Sequence, residues 1–113
     1  MRIPNAERAV IEPAKLHAYL LSRNHPIGRF KAAFFLALGY SSENWRQLEA
    51  ALRSQHLSQD ATAEAPTPYR QKYAIRATLG RPSGNSAEVV SVRVVRMGEE
   101  FPRFVTAYPE GSR

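Results

Sequence analysis

The sequence predicts a single α+β domain in which about three N-terminal helices pack on a C-terminal antiparallel β-meander of about three to four strands. Three observations predict it. Apolar residues recur at helical spacing between residues 13 and 56, the period changes to two beyond residue 72, and Gly-bearing turns punctuate the second half. With 113 residues, 43% of them hydrophobic, the chain can bury one modest core and is too short for two.

The elements follow in order. Ala9-Val10-Ile11 reads as an edge strand or an extended lead-in. Glu12-Pro13 opens a first helix, with Pro in a first-turn position, and Leu16, Tyr19 and Leu20 carry it to about Ser22. Pro26 disfavours α geometry at His25 and breaks it. A second helix is expected from about Gly28 to Leu38, with Phe30, Phe34 and Leu38 on one face and Gly39 as its left-handed stop. Ser41 or Ser42 caps a third helix through Trp45, Leu48, Leu52 and toward His56. Residues 58–68, small, polar and proline-bearing, read as a mobile connector within the one domain, 1–113.

Strand periodicity begins beyond it. Tyr73, Ile75, Ala77 and Leu79 point one way, and Lys72, Arg76 and Thr78 the other. A turn at 80–85 precedes a strand in which Val90, Val92 and Val94 alternate with Ser91, Arg93 and Val95. After Gly98-Glu99-Glu100 the last strand runs from Phe101 to Tyr108, with Arg103, Val105 and Ala107 on one side and Phe104, Thr106 and Tyr108 on the other. Phe34, Leu38, Trp45, Leu52, Ile75, Val92 and Val94 are the predicted shared core.

Composition narrows the function. Without cysteine there is neither a disulfide framework nor a thiolate metal site. His17, His25 and His56 lie apart from any cluster of carboxylates, so no metal and no cofactor is expected. No stretch approaches the roughly 18 apolar residues of a membrane span, and the first residues do not read as a signal peptide. A reducing cytoplasm is the simplest compartment. The net charge is +6, and 13 of the 16 basic residues are Arg, whose planar fork grips phosphate or carboxylate in pairs of hydrogen bonds. Such a balance fits nucleic acid or an acidic protein as partner, or simply a soluble basic surface.

Three places carry candidate chemistry. Around the start of the second helix stand His25, Arg29 and Lys31, where free N–H groups favour an anion and an imidazole can move protons near neutrality. His25 as a helix cap and Lys31 as a solubilising surface residue is the structural alternative. In the last strand, Arg103, Thr106 and Tyr108 can bind and polarise a phosphate, or else Arg103 covers the sheet edge while Tyr108 packs inside. In Tyr69-Arg70-Gln71-Lys72-Tyr73 with Arg76, aromatics interleave with cations as in surfaces that stack bases. Tyr69 is the better candidate for exposure. Phosphate-cradling glycine loops, a nucleophile elbow and a helical metal pair are all missing from the sequence.

Ile3-Pro4-Asn5-Ala6-Glu7, the segment His25-Pro26-x-Gly28-Arg29-x-Lys31-Ala32-x-x-Phe35 with Leu38-Gly39-Tyr40, and the closing run from Phe101 to Pro109 resemble a family of short bacterial proteins labelled only as a domain of unknown function. The resemblance covers nearly the whole chain except 58–68. Similar modules resemble the C-terminal toxin tips of polymorphic and contact-dependent systems and solo toxin–antitoxin components. The layout is also similar to that of the barnase–EndoU–colicin–RelE ribonucleases, a likeness of fold alone. What the resemblance implies is a toxin that cleaves RNA without metal. His25 would be its general base or acid, Lys31 and Arg103 would stabilise charge, and Thr106 would orient the phosphate. A small acidic antitoxin or immunity-type protein would be its partner. The alternative is a non-catalytic basic module that binds RNA or a protein.

Overall fold

The computed structural model of the chain describes residues 1–26, 29–80, 84 and 86–110, with the backbone alone at 29 and 30. Helix α1 (Pro13–Lys15) starts on Pro13, whose missing N–H is no loss in a first turn. It continues as a wider π turn, Leu16–Leu20, closed by the Leu21 N–H donating to the Leu16 carbonyl at 2.8 Å. Helix α2 (Arg29–Ala37) ends at Gly39, as expected. With φ of 98°, Gly39 donates to the Leu36 carbonyl at 2.9 Å, and the next N–H, of Tyr40, reaches back to Phe35 at 3.0 Å. The buried stripe of α2 is Ala32, Phe35 and Leu38, whereas Phe34 is only partly buried, edge-on to Phe35. The expected break at Ile27 and Gly28 and the Phe30 side chain lie outside the described residues.

A 3₁₀ turn (Ser42–Asn44) leads into α3 (Trp45–Ala51), its start tied by the Ser41 N–H donating to Asn44 Oδ1 at 2.6 Å. A second π turn, Leu52–His56, brings the helical half onto the sheet. Four antiparallel strands follow in chain order: β1 (Ala61–Ala63), β2 (Arg70–Gly80), β3 (Ser86–Arg96) and β4 (Arg103–Pro109). The stretch 58–68 therefore is not strandless, because β1 lies within it. Ala-Thr-Ala carries no breaker, the prolines come only at 66 and 68, and Ala61 is buried opposite Ile75. Gly98, at φ 83°, makes the expected turn before β4, whereas the turn at 80–85 falls mostly outside the described residues. Val10 forms a single parallel bridge to Arg103, so the N-terminal lead-in lies along the outer edge of β4.

Register decides which face meets the helices. Tyr73, Ile75 and Leu79 oppose Arg93, Ser91 and Ala87 on one face, where Leu79 joins Leu16, Leu20, Phe35 and Leu52, and Tyr73 and Ile75 form a second cluster with Ile3, Ala9 and Leu57. Val92 and Val94 are buried at 5% and 6% exposure, but on the opposite face, where Val92 clusters with Ala74 and Val90. They do not share a core with Ile75. Two-residue periodicity marks both faces of a strand, yet only pairing with β2 says which one lies under the helices.

A β-bulge corrects the last strand. Val92 pairs with Thr106 while the next residue, Arg93, pairs with Phe104, so Val105 is the extra residue. Phe104 and Ala107 consequently both enter the helix-side core. Thr106 and Tyr108 lie on the second face beside Val92 and Val90.

Candidate functional site

Three elements converge where α2 begins. Lys31 in its first turn, Tyr19 on the first π turn and Thr106 on β4 form one hydrogen-bonded group. The Lys31 ammonium donates to Thr106 Oγ1 at 2.9 Å and to the Tyr19 hydroxyl at 3.1 Å, and the two hydroxyls are 3.2 Å apart. The same ammonium stands 5.5 Å from the Tyr19 ring centre and 5.9 Å from that of Tyr108. His25 meets Tyr19 edge-on, with ring centres 4.9 Å apart. All five residues are half-buried, so the group is partly withdrawn from water but reachable.

Among the described residues no carboxylate pairs with Lys31. Burial pushes the Tyr19 phenol up, but hydrogen bonds from Thr106 and Lys31, together with the charges of Lys31 and Lys15, outweigh it and hold the phenol below its ordinary value. A half-buried ammonium whose partners among the described residues are hydroxyls can accept an anion without first breaking an ion pair to them.

Of the predicted catalytic residues, the structure brings Lys31, Thr106 and His25 together through Tyr19. Arg103 shares the sheet face of Thr106, but its guanidinium turns elsewhere. It donates to both oxygens of Glu99 at 2.9 Å, to Glu12 at 3.3 Å, and lies over the Phe101 ring. The Glu99 bond raises Arg103 above its ordinary value, and the Arg103 bond holds Glu99 below the usual carboxylate range. Of the expected phosphate- or base-binding residues, Tyr108 is in the group, and Tyr69 stands 76% exposed. Lys72 and Arg76 lie two strands away on β2, where Arg76 is ion-paired with Glu110 at 3.6 Å. The Arg29 side chain lies outside the described residues.

Tyr19 is the functional candidate that sequence reasoning missed. Its spacing with Leu16 and Leu20 places it in an apolar stripe, and the signal that could have found it is its hydroxyl, which needs a polar partner when half-buried. A second polar group was also missed. His56 is fully buried with its Nδ1 2.8 Å from Ser91 Oγ, and near it Arg93, also fully buried, donates among the described residues only to the Leu52 carbonyl at 3.4 Å.

A family model described as a domain of unknown function, DUF6883, matches residues 2–111. The chain belongs to the DUF6883 family. The match runs through 58–68 as well, which the residue-level resemblance omits. No curated protein and no solved structure matches the chain. In this DUF6883 domain no helix among the described residues is long and apolar enough to cross a membrane. A concavity of about 510 Å³ lies beside β2 between Gln55, Gln59, Arg76, Thr78 and Glu88. Its one cation is already paired, so the Lys31 group is the stronger chemical candidate.

Proposed function

We propose that this domain is a ribonuclease-type bacterial toxin that cleaves RNA in the cytoplasm without a metal ion. The observation that carries the reading is the Lys31 ammonium, held by Tyr19 and Thr106 with His25 against the same phenol. An RNA phosphate set beside Lys31 gains a charge-assisted hydrogen bond, which strengthens as the phosphorane-like transition state gathers negative charge. His25 takes the proton of the ribose 2′-hydroxyl as that oxygen attacks the phosphorus. Thr106 keeps the ammonium aimed. Arg103, expected as a second phosphate cation, has no part in this mechanism, because two carboxylates already occupy its fork.

Purified protein incubated with single-stranded RNA and a chelator is expected to yield cleavage products. Lys31→Met should slow the reaction by about 10²-fold or more, as loss of a transition-state donor does. His25→Ala should slow it by about 10²–10⁴-fold, the range for a lost general base. Cleavage that appears only when magnesium is added would defeat the mechanism. The toxin reading further implies a small acidic antitoxin or immunity-type partner that covers this cationic group.

A second reading, a non-catalytic RNA-binding module, is favoured by the exposed ring of Tyr69 between Pro68 and Arg70 at the start of β2. Bases stack on such rings with little sequence preference. Salt-sensitive RNA binding by the wild-type protein, with intact RNA recovered after long incubation, would select it.

A further inference from the structure

We propose that Tyr19 is the catalytic acid that protonates the departing 5′-oxygen, an assignment that rests on the ribonuclease reading above. The groups facing the phenol come from four elements. Lys15 lies one turn earlier on α1, Lys31 comes from α2, Thr106 from β4, and His25 from the segment after the first π turn, with Tyr108 on the far side of Lys31. Among these described residues two are cations and none is a carboxylate. Lys31 donates to both hydroxyls, so neither can donate to it in return. Either hydroxyl can donate across the 3.2 Å contact; when Thr106 donates, the Tyr19 oxygen accepts twice and its own hydrogen can point toward a substrate. The two cations stabilise the phenolate that remains, in keeping with the phenol's lowered value.

The step balances. The 2′-oxygen forms a bond to phosphorus and gives its proton to His25. The bond from phosphorus to the 5′-oxygen breaks, and that oxygen takes the proton of Tyr19. The products are a 2′,3′-cyclic phosphate and a free 5′-hydroxyl, with a charged imidazole and a phenolate left on the protein. Solvent returns both to their starting forms. Tyr19 touches both partners of the step, with the Lys31 ammonium 3.1 Å from its hydroxyl and the His25 ring edge-on to its own.

Leaving-group dependence tests the assignment. The probes are uridylyl-3′,5′-adenosine, whose alkoxide needs a proton to leave, and uridine 3′-(4-nitrophenyl) phosphate, whose phenolate leaves without one. Tyr19→Phe is expected to slow the dinucleotide by about 10²–10⁴-fold and the nitrophenyl ester by less than about fivefold, as loss of a general acid alone requires. An equal loss on both substrates makes Tyr19 a mere support and overturns the proposal, while the ribonuclease reading stands. A wild-type protein inactive on both substrates overturns both. A second measurement guards against a misfolded variant: Thr106→Val, by removing a bond that lowers the phenol, should move the alkaline limb of the kcat/KM profile to higher pH. An unmoved limb also overturns the assignment.

Discussion

His56 and Arg93 are side chains whose burial is opposed by their own chemistry. Burial and the positive charge of Arg93 push His56 down to about 4, with the Ala77 carbonyl and Glu88 pulling the other way. The unfolded imidazole titrates near 6.5, so between these values the unfolded chain binds more protons than the folded one. Stability must therefore fall as pH drops through this window, by about 3 kcal/mol at its lower end. Urea unfolding at pH 7 and pH 4.5 should show this loss in the wild type and a smaller one in His56→Gln. Arg93 is held down to about 9, first by burial and then by Arg53, and its Nε and Nη1 meet no acceptor among the described residues. A buried charge without a carboxylate is costly, and the Phe104 ring 5.4 Å away offsets only part of that cost. Arg93→Met, which keeps the volume and removes the charge, is expected to raise the unfolding free energy by about 1–4 kcal/mol. A marked loss of stability would show that this guanidinium has partners of another kind.

Two backbone irregularities place the candidate group. Without the bulge at Val105, strict alternation would keep Phe104 and Thr106 on one side of β4, and only one of them could be where it is now. The bulge lets Phe104 fill the helix-side core while Thr106 meets Lys31. At the other end of α2, Gly39 stops the helix so that Tyr40 can fold back, bury its ring and donate to the Gly80 carbonyl at 2.8 Å. Any L side chain at φ 98° is strained, so Gly39→Ala should lower stability by about 1–2 kcal/mol, read as a shift in the denaturant midpoint without a change in slope. No such cost is expected from Ala33→Ser on the exposed side of α2.

Across the whole molecule, Arg103 and Lys31 divide the basic charge of β4 and its surroundings into a structural and an uncommitted part. Arg103 ties the N-terminal segment to the turn before β4 through Glu12 and Glu99, next to the Val10 bridge. Arg103→Gln should speed amide exchange at residues 9–12 and leave RNA cleavage within about threefold, since the group gating that exchange is local. Loss of cleavage as large as that of Lys31→Met would return Arg103 to the active site. For the proposed acidic partner, opposite fields should accelerate association at low salt and slow it as salt rises. Lys31→Glu should weaken that complex, whereas a complex indifferent to salt and to this change would argue against a partner seated on the cationic group.

Residue order alone determined the α+β class, the three helical segments, the stop at Gly39, the turn at Gly98 and the nearness of His25 to Lys31. Each of these depends on local spacing or on a backbone preference carried by one or two residues. It also determined that Thr106 and Tyr108 lie on the same side of their strand. Only the tertiary structure decided which face of β3 meets the helices, that 58–68 holds a strand, that Phe104 parts from Thr106, and that Tyr19 joins Lys31 while Arg103 does not. Those outcomes depend on the register between distant strands, on one bulged residue and on which carboxylate a long guanidinium reaches first. Pairing of that kind is a competition among many distant partners, and a pattern along the chain records the faces of an element but not the winner.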